Sequence, residues 1–181
     1  MDWLPNPQRR LIDEGLDWMV NANTPTQIDI ERQYAVKYNQ QVWDLLGKAD
    51  RTEQEDAQML HGAHCSYRYW LSAGNELNQQ RAAWLLARVY SEVDEGRPAL
   101  HFAQECQRLT LEHHDLMQDF DRAYAAESLA RSNAILHNLA EAQEYYRQAL
   151  ALAEQVTNSE DRILLLADLA GGAWGGLKIS A

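Results

Sequence analysis

A chain of 181 residues, nearly half of them apolar, has enough material for one substantial core and too little for two full-sized domains. Its 16 Lys and Arg stand against 27 Asp and Glu, a formal net charge of −11 with no basic block to offset it. Such an acidic surface repels phosphate, so neither nucleic acid nor an anionic membrane is an expected partner.

The opening Met1-Asp2-Trp3, followed by Pro5 and Pro7, lacks the positive region and apolar run of a secretory signal. Apolar runs such as 163–167 are far too short to span a bilayer. A soluble, cytoplasmic protein is the expectation. Cys65 and Cys106 have the spacing of neither a zinc knuckle nor a redox pair, and are read as buried free thiols.

Alternating β-branched runs are absent, and apolar residues recur at helical steps from about Gln8 to Ala170. The chain is therefore read as all-α. A first helix is predicted over 7–20. Thr24-Pro25 opens a second over 25–48, and Thr52 with Glu55 has capping-box spacing for a third over 53–73, closed by Gly74. A fourth over 76–94 ends at Gly96, and Pro98 opens a fifth over 98–114. Asp119 is the N-cap read for 119–137, a seventh helix follows over 139–156, and Thr157 with Glu160 repeats the capping-box spacing before 159–170. The Gly-rich segment 171–181 is read as a flexible tail. Short loops between these helices make sequential ones antiparallel neighbours.

Small residues recur at a fixed distance along this series. Ala57, Ala99 and Ala142 lie 42 and then 43 residues apart. Ala83, Leu86, Ala87 and Tyr90 face Ala99, Phe102, Ala103 and Cys106 in one hairpin; Ala126, Leu129 and Ala130 face Ala142, Tyr146 and Ala149 in the next. Ala87 is expected to pack near Ala99, and Ala130 near Ala142, where larger residues would hold the helices apart. This pattern resembles a tetratricopeptide repeat, in the long-helix variety of kinesin light chain-type arrays, since the period exceeds the usual ~34 residues. Asn133 departs from it, standing where the pattern prefers an aromatic, and no proline closes either repeat.

The resemblance implies antiparallel helical hairpins stacked as a short right-handed α-solenoid, one helical-repeat domain over 1–181. Its repeats would cover 76–114 and 119–157, with 159–170 as a capping helix. In the N-terminal part, 1–75, Ala57 and His64 fall where an earlier repeat would place small residues, but Asp44 and Leu45 do not fit its first helix. That part is either a degenerate repeat or an unrelated hairpin that caps the stack. The runs 63–70, 81–90 and 119–123 are also similar to a bacterial family of helical proteins without an assigned function.

Chemistry has little support. His61 and His64 lie one turn apart, yet no H-E-x-x-H or Glu-x-x-His accompanies them. His64 also falls on the stripe Ala57, Leu60, His64, Tyr67, Leu71, which reads as core, with the imidazole bonded to a backbone or tyrosine partner. No metal with the two as joint ligands is expected, and a metal-dependent enzyme or sensor using them with a carboxylate stands as an alternative. No G-x-S-x-G or phosphate loop occurs, so no catalytic residue and no cofactor are assigned.

The repeat register turns Arg81, Trp84, Arg88, Tyr124, Glu127 and Arg131 to the concave side. Arg88 corresponds to Arg131, Trp84 to Glu127 and Arg81 to Tyr124. Arginine forks bind carboxylates and the rings add flat contact area, so the set is read as a groove for a protein or peptide partner, one bearing a carboxylate tail fitting best. The competing reading pairs Glu92 with Arg88 and Glu127 with Arg131 at i,i+4 and leaves a solvated helix face. On the groove reading the chain is a non-catalytic binding scaffold, and both arginines are dispensable to the fold. A sensor for a small acidic ligand or signalling peptide is a further alternative, and a homo-oligomer is compatible with the sequence.

Overall fold

The computed structural model describes residues 25–175, and within that range every regular element is a helix. The elements are α1 (Gln27–Leu46), α2 (Glu53–Ala73), α3 (Glu76–Glu92), α4 (Gly96–Glu112), α5 (Asp119–Ile135), α6 (Leu139–Ala153) and α7 (Ser159–Ala170). The helix expected over 7–20, with Trp3 and Trp18, lies outside the described residues. Among those described, no helix is long and apolar enough to cross a membrane.

Local chemistry sets the helix starts. The Thr52–Glu55 capping box forms as read, and Asn75 forms another with Asn78. Elsewhere the cap moves. Thr26, not Thr24, starts α1, because its hydroxyl accepts from the Asp29 N–H while the Asp29 carboxylate accepts from the Thr26 N–H at 2.9 Å. At α7 the cap is Asn158, whose Oδ1 accepts from the N–H groups of Glu160 and Asp161. Thr157 is drawn away instead, since its N–H and hydroxyl both donate to Asp119, each at 2.8 Å. Gly96 does not end α3. Asp94 takes the left-handed turn at φ 61°, Gly96 begins α4, and Pro98 falls in the first turn, where a missing N–H costs nothing.

Each helix packs on its successor, and α3 also packs on α5 and α5 on α7. The turns of the hairpins α3–α4 and α5–α6 match bond for bond. Glu95 N–H donates to the Tyr90 carbonyl as Asn138 does to Asn133, and Ala99 to Glu95 as Ala142 does to Asn138. The left-handed residue of each turn, Asp94 or His137, keeps the same 43-residue offset. Ala87, Ala99, Ala130 and Ala142 are all fully buried on these two packed pairs.

The first hairpin differs. Ala57 is exposed, and the close approach of α1 to α2 occurs at Gly62, where a Cβ would lie 3.0 Å from Val42 Cγ2. The buried stripe of α2 is Met59, Gly62, Ala63, Ser66, Trp70 and Ala73. The stripe expected through His64 is thus wrong by a rotation of the helix: Ala57, His64 and Leu71 are exposed.

Helix α5 is the centre of the molecule. Between Phe120 and Ile135 every residue except Arg122 is buried, including Asp121, Glu127, Ser128, Arg131, Ser132 and Asn133. A helix covered all round normally has an apolar sequence. This one carries its polar face inward and satisfies it with partners: Ser128, Ser132 and Asn133 donate back to carbonyls of the preceding turn.

Candidate functional site: a buried arginine row closed by the C-terminal segment

The six residues assigned to the groove do come together, along the row α3–α5–α7, but they are buried. Trp84, Tyr124, Glu127 and Arg131 are each at most 2% exposed, while the side chains of Arg81 and Arg88 retain 14% and 13%. Both i,i+4 pairs form, Arg88 Nη2 to Glu92 Oε1 at 3.1 Å and Arg131 Nε to Glu127 Oε1 at 2.6 Å. They do not solvate a helix face, because neighbouring elements cover them.

Glu127 is the hub. Besides Arg131 it accepts from Trp84 Nε1 at 3.1 Å and meets Arg88 Nη1 at 3.5 Å, so a fully buried carboxylate is held by three donors. Arg81 grips Asp121 bidentately at 2.9 and 3.0 Å and lies 5.1 Å from the Phe120 ring centroid. Tyr124 donates to Asp168 Oδ2 at 2.7 Å, and the rings of Trp43, Trp84 and Tyr124 follow one another at 5.8 and 4.9 Å.

The remaining donors of Arg131 go to the chain beyond α7. Nη1 donates to the carbonyls of Gly171 and Ala173 at 3.1 and 2.9 Å, and Nη2 to that of Asp168 at 2.9 Å. Trp174 covers the guanidinium, with Cζ 4.1 Å from its ring centroid; its own N–H donates to the Gly171 carbonyl, and Tyr146 meets it edge-on. The flexible tail expected over 171–181 is therefore corrected for 171–175: Trp174 is buried, and the segment seals the arginine row. Residues 176–181 lie outside the description.

Burial moves the ionisation of these groups. It lowers the pKa of Arg131, with the Glu127 charge opposing. Arg88 is also penalised by burial, but Glu127, Glu92 and Asp168 outweigh that and raise it. Burial raises Asp168 above the ordinary carboxylate range against the pull of Arg88 and the Tyr124 hydroxyl. It pushes Tyr124 well up, helped by the Asp168 charge.

Sequence reasoning missed Asp121, Asp168 and Trp174. A signal existed in the spacing. The pairs Arg81–Asp121, Trp84–Glu127, Tyr124–Asp168 and Arg131–Ala173 are separated by 40, 43, 44 and 42 residues, close to one repeat period. The premise that Arg131 takes no part in the core is overturned, since it is among the largest fully buried side chains.

His61 and His64 occupy a different place. With Glu31, Cys65, Arg68 and Tyr69 they line an open pocket of about 410 Å³ between α1 and α2. His64 Nε2 lies 2.7 Å from Tyr90 Oη, so of the backbone or tyrosine partner expected for a core imidazole the tyrosine is found, though at an exposed position; desolvation by its neighbours, then the charge of His61, lowers its pKa. Among the described residues no group of three or more His, Cys, Asp or Glu is placed to hold a metal ion.

Comparison with protein-family models, with curated proteins and with solved structures gives no match. The functional reading therefore rests on the geometry alone.

Proposed function

We propose that this chain is a peptide-binding module of the tetratricopeptide-repeat kind, a short right-handed α-solenoid with no chemistry of its own, whose concave groove is the α3–α5–α7 row. The row order and the recurrence of one turn at 43 residues support the solenoid. One observation carries the binding role: the row holds a non-helical stretch of chain, 171–174, by main-chain carbonyls on Arg131 and an aromatic ring over its guanidinium. Surfaces that grip backbone in this way accept extended peptides.

Charge refines the partner expected from sequence. Arg51, Arg88 and Arg131 pair with the carboxylates of Asp56, Glu92 and Glu127, so the arginines are already neutralised and a further carboxylate would be repelled. Neutral carbonyl acceptors suit the groove better than an acidic tail.

The test is to pan a random peptide library on the immobilised full chain, wild type and Trp174→Ala in parallel. Enriched sequences whose binding is lost in Arg88→Ala, with its helical circular dichroism unchanged, support the reading. No enrichment on either protein, or binding indifferent to Arg88→Ala, defeats it.

A further inference from the structure

The contacts of the C-terminal segment are selective. Gly172 takes φ +77°, and a Cβ there would come within 2.5 Å of Arg88 Nη2, 2.8 Å of Arg131 Nη1 and 2.9 Å of Glu92 Oε1, so any side chain at this position is strained and displaces those charged groups. Two residues on, the Trp174 ring lies on Arg131 and against Tyr146. Between them Ala173 contributes only main chain: its carbonyl accepts from Arg131, and its N–H donates to Glu92 Oε1 at 3.4 Å. The site therefore reads Gly-x-Trp, with the middle residue held by its main chain.

Trp174 packs into the main apolar core, while the main chain that carries it has the features of an occupant. Beyond the Gly171 N–H, which donates to the Asp168 carbonyl at the end of α7, it makes no helical bonds, Gly172 is exposed, and glycines at 171, 172 and 175 leave it conformationally free once its contacts with the row are broken. Resting on the peptide-binding reading above, we infer that residues 171–174 are a built-in occupant of the groove, and that the partner is an extended peptide carrying Gly-x-Trp, which displaces them. A tethered segment competes at an effective concentration in the millimolar range. The groove is thereby closed to weak ligands and opens only to one that outcompetes its own tail.

The experiment uses the full chain and a fluorescein-labelled hexapeptide Ala-Gly-Gly-Ala-Trp-Gly, the sequence of 170–175. Binding is read by anisotropy for wild type, Trp174→Ala, which removes the ring, and Gly172→Ala, which forces the segment off the arginines. Both variants should bind the peptide at least about tenfold more tightly than wild type, and a peptide with Ala in place of Trp should lose about tenfold on either. Saturating peptide should also speed amide hydrogen exchange of 171–175 in the wild-type chain. Equal binding by wild type and folded variants, indifference to the peptide's Trp, or unchanged exchange at saturation would overturn the inference. Unfolding of both variants would overturn it too, because the segment would then be part of the core. Any of these outcomes, together with Arg88-dependent binders from the random library, leaves the peptide-binding reading standing.

Discussion

Arg131 is fully buried, and each of its nitrogens bonds to the protein: Nε to the Glu127 carboxylate, Nη1 and Nη2 to carbonyls of Gly171, Ala173 and Asp168. Removing it strips Glu127 of its shortest partner and leaves the Ala173 carbonyl without a donor, while those of Gly171 and Asp168 keep the Trp174 indole N–H and the Gly171 N–H. Breaking a buried pair in this way costs about 3–5 kcal/mol. Arg131→Ala should therefore lower the urea midpoint severely, whereas Arg88→Ala, at a longer and partly solvated contact, should cost about 1–2 kcal/mol. Equal losses in the two would show that Arg131 is not the central support. Asp168 offers a pH test. Burial raises its folded pKa above the unfolded value, so its ionisation disfavours the fold, and that penalty vanishes once pH falls below the unfolded carboxylate range. Asp168→Asn keeps an acceptor for Tyr124 and removes the charge. The variant should melt above wild type at neutral pH, with the gap closing as pH drops towards 4, about the unfolded carboxylate pKa. A gap that widens on acidification would contradict the assigned direction. Both i,i+4 pairs were legible in the sequence; their burial was not, because it depends on residues some 40 positions away.

At the scale of elements, spacing located the helices and short-range competition decided their ends. Thr157 has capping-box spacing with Glu160, yet Asp119 on another helix claims it and Asn158 takes over the cap. The alanine pattern predicted the tight hairpins α3–α4 and α5–α6, and failed for α1–α2, where Gly62 rather than Ala57 sits at the close approach. Ala99 is fully buried where α4 packs on α3, so Ala99→Leu should overpack the hairpin and cost about 1–3 kcal/mol, measured as a fall in melting temperature. Ala57→Leu, at an exposed site, should change it little. Helix α5 shows where pattern reading stops. Its polar positions form what looks like a solvent face until α3, α7 and the segment beyond α7 close over it.

For the molecule as a whole, the metal-dependent alternative has one test, since among the described residues no group of three or more His, Cys, Asp or Glu is placed to hold an ion. Zinc titration of the chain should reveal no stoichiometric site that His64→Ala abolishes; such a site would revive the metal-dependent alternative. The sequence by itself determined the helical class, each of the described helices apart from their exact ends, the 43-residue offset between two hairpins and the set of side chains sharing one row. Those follow from short-range physics: the 3.6-residue turn, cap chemistry, and small residues where backbones must approach. Only the tertiary structure decided that the row is buried, that Glu127 joins three donors, that His64 is exposed, and that the glycine-rich segment lies on Arg131 instead of fraying. Each of those depends on desolvation and on partners supplied by elements distant in sequence, and a carboxylate or guanidinium reads the same in the chain whether water or a neighbouring helix will meet it.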